Sequence, residues 1–348
     1  MTSLNVLITA ASRRVPLVQA FQRCVRGLAG GGLVSVTDVN PLSPAVHVAD
    51  RAWAVPLSTD PAYIDALLAI CDEDEIGLLV PTIDDELSVV SAAAPRFEAI
   101  GTRVAVSPVE TTDICNDKYR TAERLQAHGV CAATTWLPHQ RAEMPAPPVF
   151  VKPRTGRGGI GAFAARTVRE LDFFVDYVAD PVVQEYLDGP EFTIDLFCDF
   201  RGRPIAAVPR ERVVIRAGVI DRGRTVWDRA LLDLAVDCAN ALAFRGPVNI
   251  QCRRVDGRPV VFEINPRFSG GIPLTIAAGA DFPRLLVDLA LGRPVAPALG
   301  RFEHGLWMTS YESSIYLSRE SMDRLRPAPT VEQVGERRAA SMRRREVA

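Results

Sequence analysis

Three polar side chains alternate along one short run, FEINPRFSGG, in which Glu263, Asn265 and Arg267 follow an apolar stretch at every second position. A strand turns alternate side chains to one face, so an acid, an amide and a guanidinium would stand side by side where burial is costly. Phe262 and Ile264 between them are expected to face the other way, into a core. If NIQCRR (249–254) and RPVVFEIN (258–265) are hairpin strands about RVDGRP, Gln251 and Glu263 share one face and Asn265 continues it. Three hard oxygen donors in one place suit magnesium, which typically takes one or two protein carboxylates and fills its other positions with water and phosphate. A structural cluster bridging a strand end is the plainer alternative, and it leaves the next features unexplained.

Lys152 ends the strand VFVKP and leads into PRTGRGGIG, where Gly156, Gly158, Gly159 and Gly161 crowd a short loop. Glycines admit the backbone angles by which successive N–H groups turn inward onto phosphate oxygens. No GKS or GKT follows, so the loop is not a Walker A motif. Further on, VVQEYLDGPEFTIDLF reads as strand, turn and strand, with Glu185 and Glu191 flanking the turn. Backbone groups of such a connection can read an adenine edge, and Glu191 can accept from ribose hydroxyls. In PRERVVIR, period two puts Arg210, Arg212 and Arg216 on one face, where they either receive an anion or pair with surface acids.

The elements around these residues follow from periodicity. Short apolar runs at LNVLIT (4–9), LVSVTD (33–38), IGLLVPT (76–82) and RVAVS (103–107) alternate with amphipathic stretches, which predicts a parallel Rossmann-like sheet. PAYIDALLAICDE predicts a crossover helix starting at Pro61, with Ile64, Leu67, Leu68 and Cys71 on its inner face. The first turn, TAASRR, lacks GxGxxG, which disfavours a dinucleotide enzyme; Ser12, Arg13 and Arg14 there either receive an anion or are solvated. Strands at 182–187, 191–199, 204–215, 246–255 and 258–265 with tight polar turns predict a largely antiparallel second sheet.

At 348 residues the chain exceeds the roughly 250 at which single cores stop growing, so two or three compact units are expected. A net charge of -2 supplies no broad attraction to nucleic acid or anionic lipid, and neither is expected as a partner. The seven scattered cysteines form no CxxC pair and the four histidines are isolated, which points to reduced thiols without a zinc site. No apolar run reaches about 18 residues and the start lacks a signal-like core, so a cytoplasmic protein is expected. The basic end, GERRAASMRRREVA, reads as a flexible tail.

Taken in order, NDK (116–118), FVKP (150–153), the glycine loop, QEYLDGPEFTID (184–195), NIQ and FEINPRFSGG resemble the ATP-grasp enzymes, and most closely the branch similar to the carbamoyl-phosphate synthetase large subunit and the pyrrolysine-pathway ligase. The resemblance implies a pre-ATP-grasp Rossmann-like domain over 1–115, a small ATP-grasp lobe over 116–186, a large lobe over 187–318 with a largely antiparallel sheet, and a C-terminal extension over 319–348. It implies that Lys118 and Lys152 contact nucleotide phosphates, that Glu185, Tyr186 and Leu187 form the adenine hinge, and that Glu191 holds ribose. Gln251, Glu263 and Asn265 match magnesium ligands, with Glu263 bridging two ions, for which Mn2+ can substitute; Arg267 matches the arginine that stabilises the phosphorylated intermediate. Arg210, Arg216, Ser269 and Gly270 are candidate substrate contacts on the acceptor side. The activity so implied is an ATP-dependent, ADP-forming carboxylate–amine ligase acting on small molecules through an acylphosphate, with a homodimer as a candidate assembly. Two alternatives stay open: phosphorylation of bicarbonate or carbamate, and an ATP-binding sensor without turnover.

Overall fold

The computed structural model describes residues 2–216, 218–330 and 333. They form two compact units, one built from residues up to Val106 with Pro283–Val295 and those from Glu312, the other from Ser107–Phe282 with Ala296–Tyr311.

The first unit holds the expected parallel sheet. Its strands are β1 (Asn5–Ile8), β2 (Val34–Asp38), β3 (Arg51–Ala54), β4 (Ile76–Val80) and β5 (Arg103–Val104), joined at one edge by the short β16 (Arg326–Pro327). The order is β16-β3-β2-β1-β4-β5, with every neighbouring pair parallel. β1, β2 and β4 are buried on both faces, as strands covered by helices from both sides must be; Leu7, Ile8, Leu78 and Leu79 are fully buried, and β2 buries Val34 and Val36 on one face and Ser35 and Thr37 on the other. The expected helix runs Tyr63–Glu73, so Pro61 lies outside it and the inner face is rotated by one residue. Tyr63, Leu67, Ile70 and Cys71 are buried while Ile64 and Leu68 are half-buried, because the Tyr63 hydroxyl reaches inward to donate to the buried Glu86 carboxylate. β3 and β16, RAWA and RP, are too short to leave a periodic signal. β16 brings part of the C-terminal extension into this sheet, while GERRAASMRRREVA lies outside the described residues.

The TAASRR turn is closed by the protein's own groups. The Ser12 N–H donates to Asp38 Oδ2 at 2.8 Å and the Arg14 guanidinium to the Thr82 carbonyl at 2.7 Å. Of the two readings open there, this turn carries an internal acid against its amide.

The second unit contains two antiparallel sheets. The smaller has the order β6-β9-β7-β8, from β6 (Thr135–Trp136), β7 (Val149–Pro153), β8 (Phe163–Ala165) and β9 (Pro181–Glu185). The larger has the order β14-β13-β10-β11-β12-β15, from β10 (Glu191–Cys198), β11 (Pro204–Arg216), β12 (Val219–Thr225), β13 (Gly246–Val255), β14 (Arg258–Asn265) and β15 (Trp307–Thr309). The chain crosses from one sheet to the other over residues 186–190. The Arg229–Ala241 helix, capped by Asp228, packs Leu231, Leu234, Ala235 and Cys238 on Ile194, Leu196, Ile250 and Ile264. A second cap matters for the site: Asp117 accepts from the Tyr119 and Arg120 amides and pairs with Arg154 at 2.7 Å, which fixes the first turn of the Lys118–Ala127 helix.

In the first unit the side chain of Asp74 is 1% exposed and accepts from Ser35, Trp53 and Arg51. Asp74→Ala strands the buried Ser35 and Trp53 donors, and the cost of unsatisfied buried groups sets a loss of about 2–4 kcal/mol. Urea denaturation of the full chain followed by circular dichroism should show a lower midpoint; an unchanged midpoint would contradict the network.

Candidate active site

A cavity of about 410 Å³ is lined from both sheets of the second unit. The β13–β14 hairpin supplies its floor. Gln251 stands opposite Glu263 and Asn249 opposite Asn265. The amide of Gln251 donates to Asn249 Oδ1 at 3.3 Å, that of Asn265 to Glu263 Oε1 at 3.1 Å, and the Arg267 guanidinium to Asn265 Oδ1 at 3.1 Å. Acid, amide and guanidinium are thus linked in chain order; Gln251 and Glu263 line the cavity, and Asn265 and Arg267 are not among its lining residues.

One expectation fails at this hairpin. Phe262 does not face the core with Ile264; it lines the cavity. Pairing steps from Gln251–Glu263 to Cys252–Val261, so Phe262 is the extra residue of a bulge and escapes the period-two alternation. Ile264 remains in the core, 1% exposed. The displaced Phe262 has a use: Lys152 Nζ stands 5.5 Å from its ring centroid and donates to its carbonyl at 3.3 Å.

Lys152 is buried on β7, where its ammonium also donates to Gln184 Oε1 at 2.8 Å. The Gln184 amide is oriented in turn by Thr135 Oγ1 at 2.9 Å. Burial pulls the ammonium down to about 8, and Lys118 acts in the same direction, while Glu263 and Glu191 oppose both. Lys118, also buried, donates from Nζ to the Gly156 carbonyl at 2.9 Å and so ties the helix start to the glycine loop. Gly156, Gly158, Gly159 and Gly161 all have positive φ, between 70° and 111°. At Gly156, Gly158 and Gly159 a Cβ would meet nothing within 4 Å, so backbone conformation rather than crowding selects glycine there.

At the other end of the cavity, Glu185 holds the turn at Thr134: its carboxylate accepts the Thr134 N–H at 2.8 Å and its own N–H donates to the Thr134 carbonyl at 2.9 Å. Tyr186 and Leu187 follow it along the wall. Both oxygens of Glu191 are ion-paired, one with Arg212 at 2.6 Å and the other with Arg253 at 2.7 Å. Arg253 is a residue that sequence reasoning missed, although its place two positions after Gln251 on the same strand was the signal that could have found it. Gln184 and Asp117 act through Lys152, Thr135 and Arg154, partners that only the fold brings near, whereas Asn249 stands two residues before its partner Gln251.

The three arginines of PRERVVIR separate. Register irregularities after Arg212 break the alternation of β11. Arg212 lines the cavity, Arg210 is buried against Asp195, and Arg216 is exposed and paired with Asp221 at 2.7 Å. Ser269 is buried and accepts from Arg210, and Gly270 packs on Val219. Arg210, Arg216, Ser269 and Gly270 are not among the residues lining the cavity.

Among the described residues no three His, Cys, Asp or Glu side chains cluster into a metal site. A cation here would rest on Glu263 and on amide oxygens, a donor set that suits magnesium completed by phosphates. Two buried ammonium groups and an open glycine loop stand beside it, so the residues fit a magnesium nucleotide.

Residues 178–313 match the family described as ATP-grasp in the biosynthetic pathway with Ter operon, over the part of the chain that carries the larger sheet and the β13–β14 hairpin. Residues 6–105 match the PylC-like N-terminal domain. The chain is 24% identical over 284 residues to the carbamoyl phosphate synthase arginine-specific large chain of Bacillus subtilis, covering 76% of this chain and 26% of that one. It therefore spans about a quarter of the length of such relatives. Among solved structures, the biotin carboxylase domain of Hydrogenobacter thermophilus 2-oxoglutarate carboxylase, in complex with MgADP, ADP and bicarbonate, superposes with a TM-score of 0.68 at 16% identity, over 88% of this chain and 74% of that one. The L-amino acid ligase of Bacillus licheniformis gives 0.65 at 20% identity, over 84% and 75%. No helix among the described residues is long and apolar enough to cross a membrane.

The lowered Lys152 value sets a pH dependence. Below about 8 the ammonium is charged and attracts phosphate; as pH rises through that value the free protein loses the charge. The apparent kcat/KM for ATP should fall by about tenfold per pH unit beyond it, and Lys152→Arg, which stays protonated, should abolish the fall. A profile that stays flat for about two units above that pH would contradict the assignment.

Proposed function

We propose that this protein is an ATP-dependent, ADP-forming carboxylate–amine ligase acting on small molecules, an amino acid or a short peptide, through an acylphosphate. The observation that carries the proposal is the convergence of Lys118, Lys152, the glycine loop, Glu191, Gln251 and Glu263 on one cavity. Arg267, joined to Glu263 through Asn265, adds a cation suited to a transferred phosphoryl group, which a binder without turnover has no need of.

The chemistry follows from charge. A carboxylate resists attack by an amine until one oxygen becomes a good leaving group, which phosphorylation by ATP achieves. The Lys152 ammonium and the backbone N–H groups of the glycine loop hold the phosphates. Tyr186 and Leu187 receive adenine through backbone groups at the turn that Glu185 stabilises. Glu191, held rigid by Arg212 and Arg253, accepts from ribose hydroxyls. Gln251, Glu263 and Asn265 would hold two magnesium ions, which Mn2+ could replace, and the chemistry so supplied would be charge neutralisation at the phosphoryl oxygens. Arg267 stabilises charge on the transferred group. Closure of the glycine loop excludes water that would consume ATP or the acylphosphate. The proposal extends to a homodimer in the cytoplasm.

The test is ADP release screened across pairs of carboxylic acids and amines, with mass spectrometry of the products. The proposal expects ADP release that requires both partners and yields an amide. Release stimulated by bicarbonate without an organic acid would favour phosphorylation of bicarbonate or carbamate instead. Glu263→Ala and Lys152→Met should each lower turnover by at least about 10²–10³-fold, the scale of losing one preorganised electrostatic contact. Near-normal turnover in Glu263→Ala would refute the metal assignment.

A further inference from the structure

Arg210 is 1% exposed, and its guanidinium grips Asp195 through two bonds, Nε to Oδ2 at 2.9 Å and NH2 to Oδ1 at 3.0 Å. The same NH2 donates to Ser269 Oγ at 3.0 Å, and Asp195 Oδ2 also accepts from the Thr275 hydroxyl. One buried cluster therefore joins β10, β11, the segment after β14 and the Ile272–Ala277 helix. The remaining nitrogen, NH1, is buried without a partner and lies against Gly271, where a Cβ would stand 2.2 Å away. Glycine at 271 is what allows the guanidinium to lie flat on the chain.

A buried ion pair is a weak source of net stability, since apolar residues of similar volume often serve as well. What such a pair supplies is a fixed geometry, and its location decides what is fixed. Ser269 is two residues beyond Arg267. On the other side, β14 holds the chain through Asn265, whose side chain bonds both Glu263 and Arg267. Arg267 thus sits on a short bridge between two anchors.

We propose that Asp195 and Arg210 are positioning residues for Arg267, holding Ser269 so that the guanidinium keeps its place beside Asn265 and Glu263. The proposal rests on the ligase function above, because it is phosphoryl transfer that needs Arg267 held in place. None of Asp195, Arg210 and Ser269 lines the nucleotide cavity, so their effect falls on turnover rather than on nucleotide affinity.

The test uses the full chain with an acid–amine pair that supports ADP release in the wild type. Ser269→Ala leaves the Asp195–Arg210 pair whole and removes the hydroxyl that accepts from Arg210. It should keep MgADP affinity within about twofold and the melting temperature near wild type, while kcat falls about tenfold with KM for ATP unchanged; Ser269→Thr should restore much of the rate. The double variant Asp195→Leu with Arg210→Met removes both charges without stranding either, and should show the same fall in kcat. Wild-type kcat in Ser269→Ala or in the double variant overturns the proposal. So does a joint loss of melting temperature and MgADP affinity, the mark of a purely structural cluster. A wild-type chain that neither binds MgADP nor releases ADP with any pair would instead defeat the ligase function itself, and the positioning role with it.

Discussion

The pairing of Gln251 with Glu263 across the β13–β14 hairpin is the constraint on which the site depends. It puts an acid and an amide on one wall, continues through Asn265 to Arg267, and leaves exactly one residue, Phe262, unpaired at the bulge. Slipping the register by one residue would turn Glu263 into the core packed by Ile250 and Ile264 and present apolar side chains to the cavity. The hydrophobic face behind the hairpin, packed on the Arg229–Ala241 helix, is therefore what specifies where the cavity face points.

The bulge connects this hairpin to the smaller sheet. Burying an ammonium costs several kcal/mol unless its hydrogen bonds are replaced, and Lys152 recovers them from Gln184 on its own sheet and from the Phe262 carbonyl on the other. The charge stays incompletely compensated, which is why its pKa falls. An anion entering the cavity relieves that deficit, so the same burial that weakens the free protein favours phosphate.

Much of this was legible in the sequence for physical reasons that can be named. β13 and β14 have ends readable from alternation and from the turn at Asp256 and Gly257, and the parallel strands of the first sheet show as apolar runs. The glycine loop was readable because only glycine accepts its backbone angles. Alternation misled wherever a strand is irregular: at Phe262, and after Arg212, where Arg216 turns to solvent instead of joining Arg210. Glu191 was readable as a polar group beside a turn, but its two arginine partners come from β11 and β13, distant in sequence. Asp195 and Gln184 were hidden within apolar strands, where a lone polar residue carries no sign of the partner that tertiary packing supplies.

The central claim is that the cavity binds a magnesium nucleotide through Lys152 and Glu263. Calorimetric titration of the full chain with ADP, with and without magnesium, tests it most directly. The account predicts saturable binding that magnesium tightens, with the magnesium enhancement lost in Glu263→Ala and affinity reduced in Lys152→Met. Absence of binding, or binding indifferent to magnesium and to both substitutions, would contradict it.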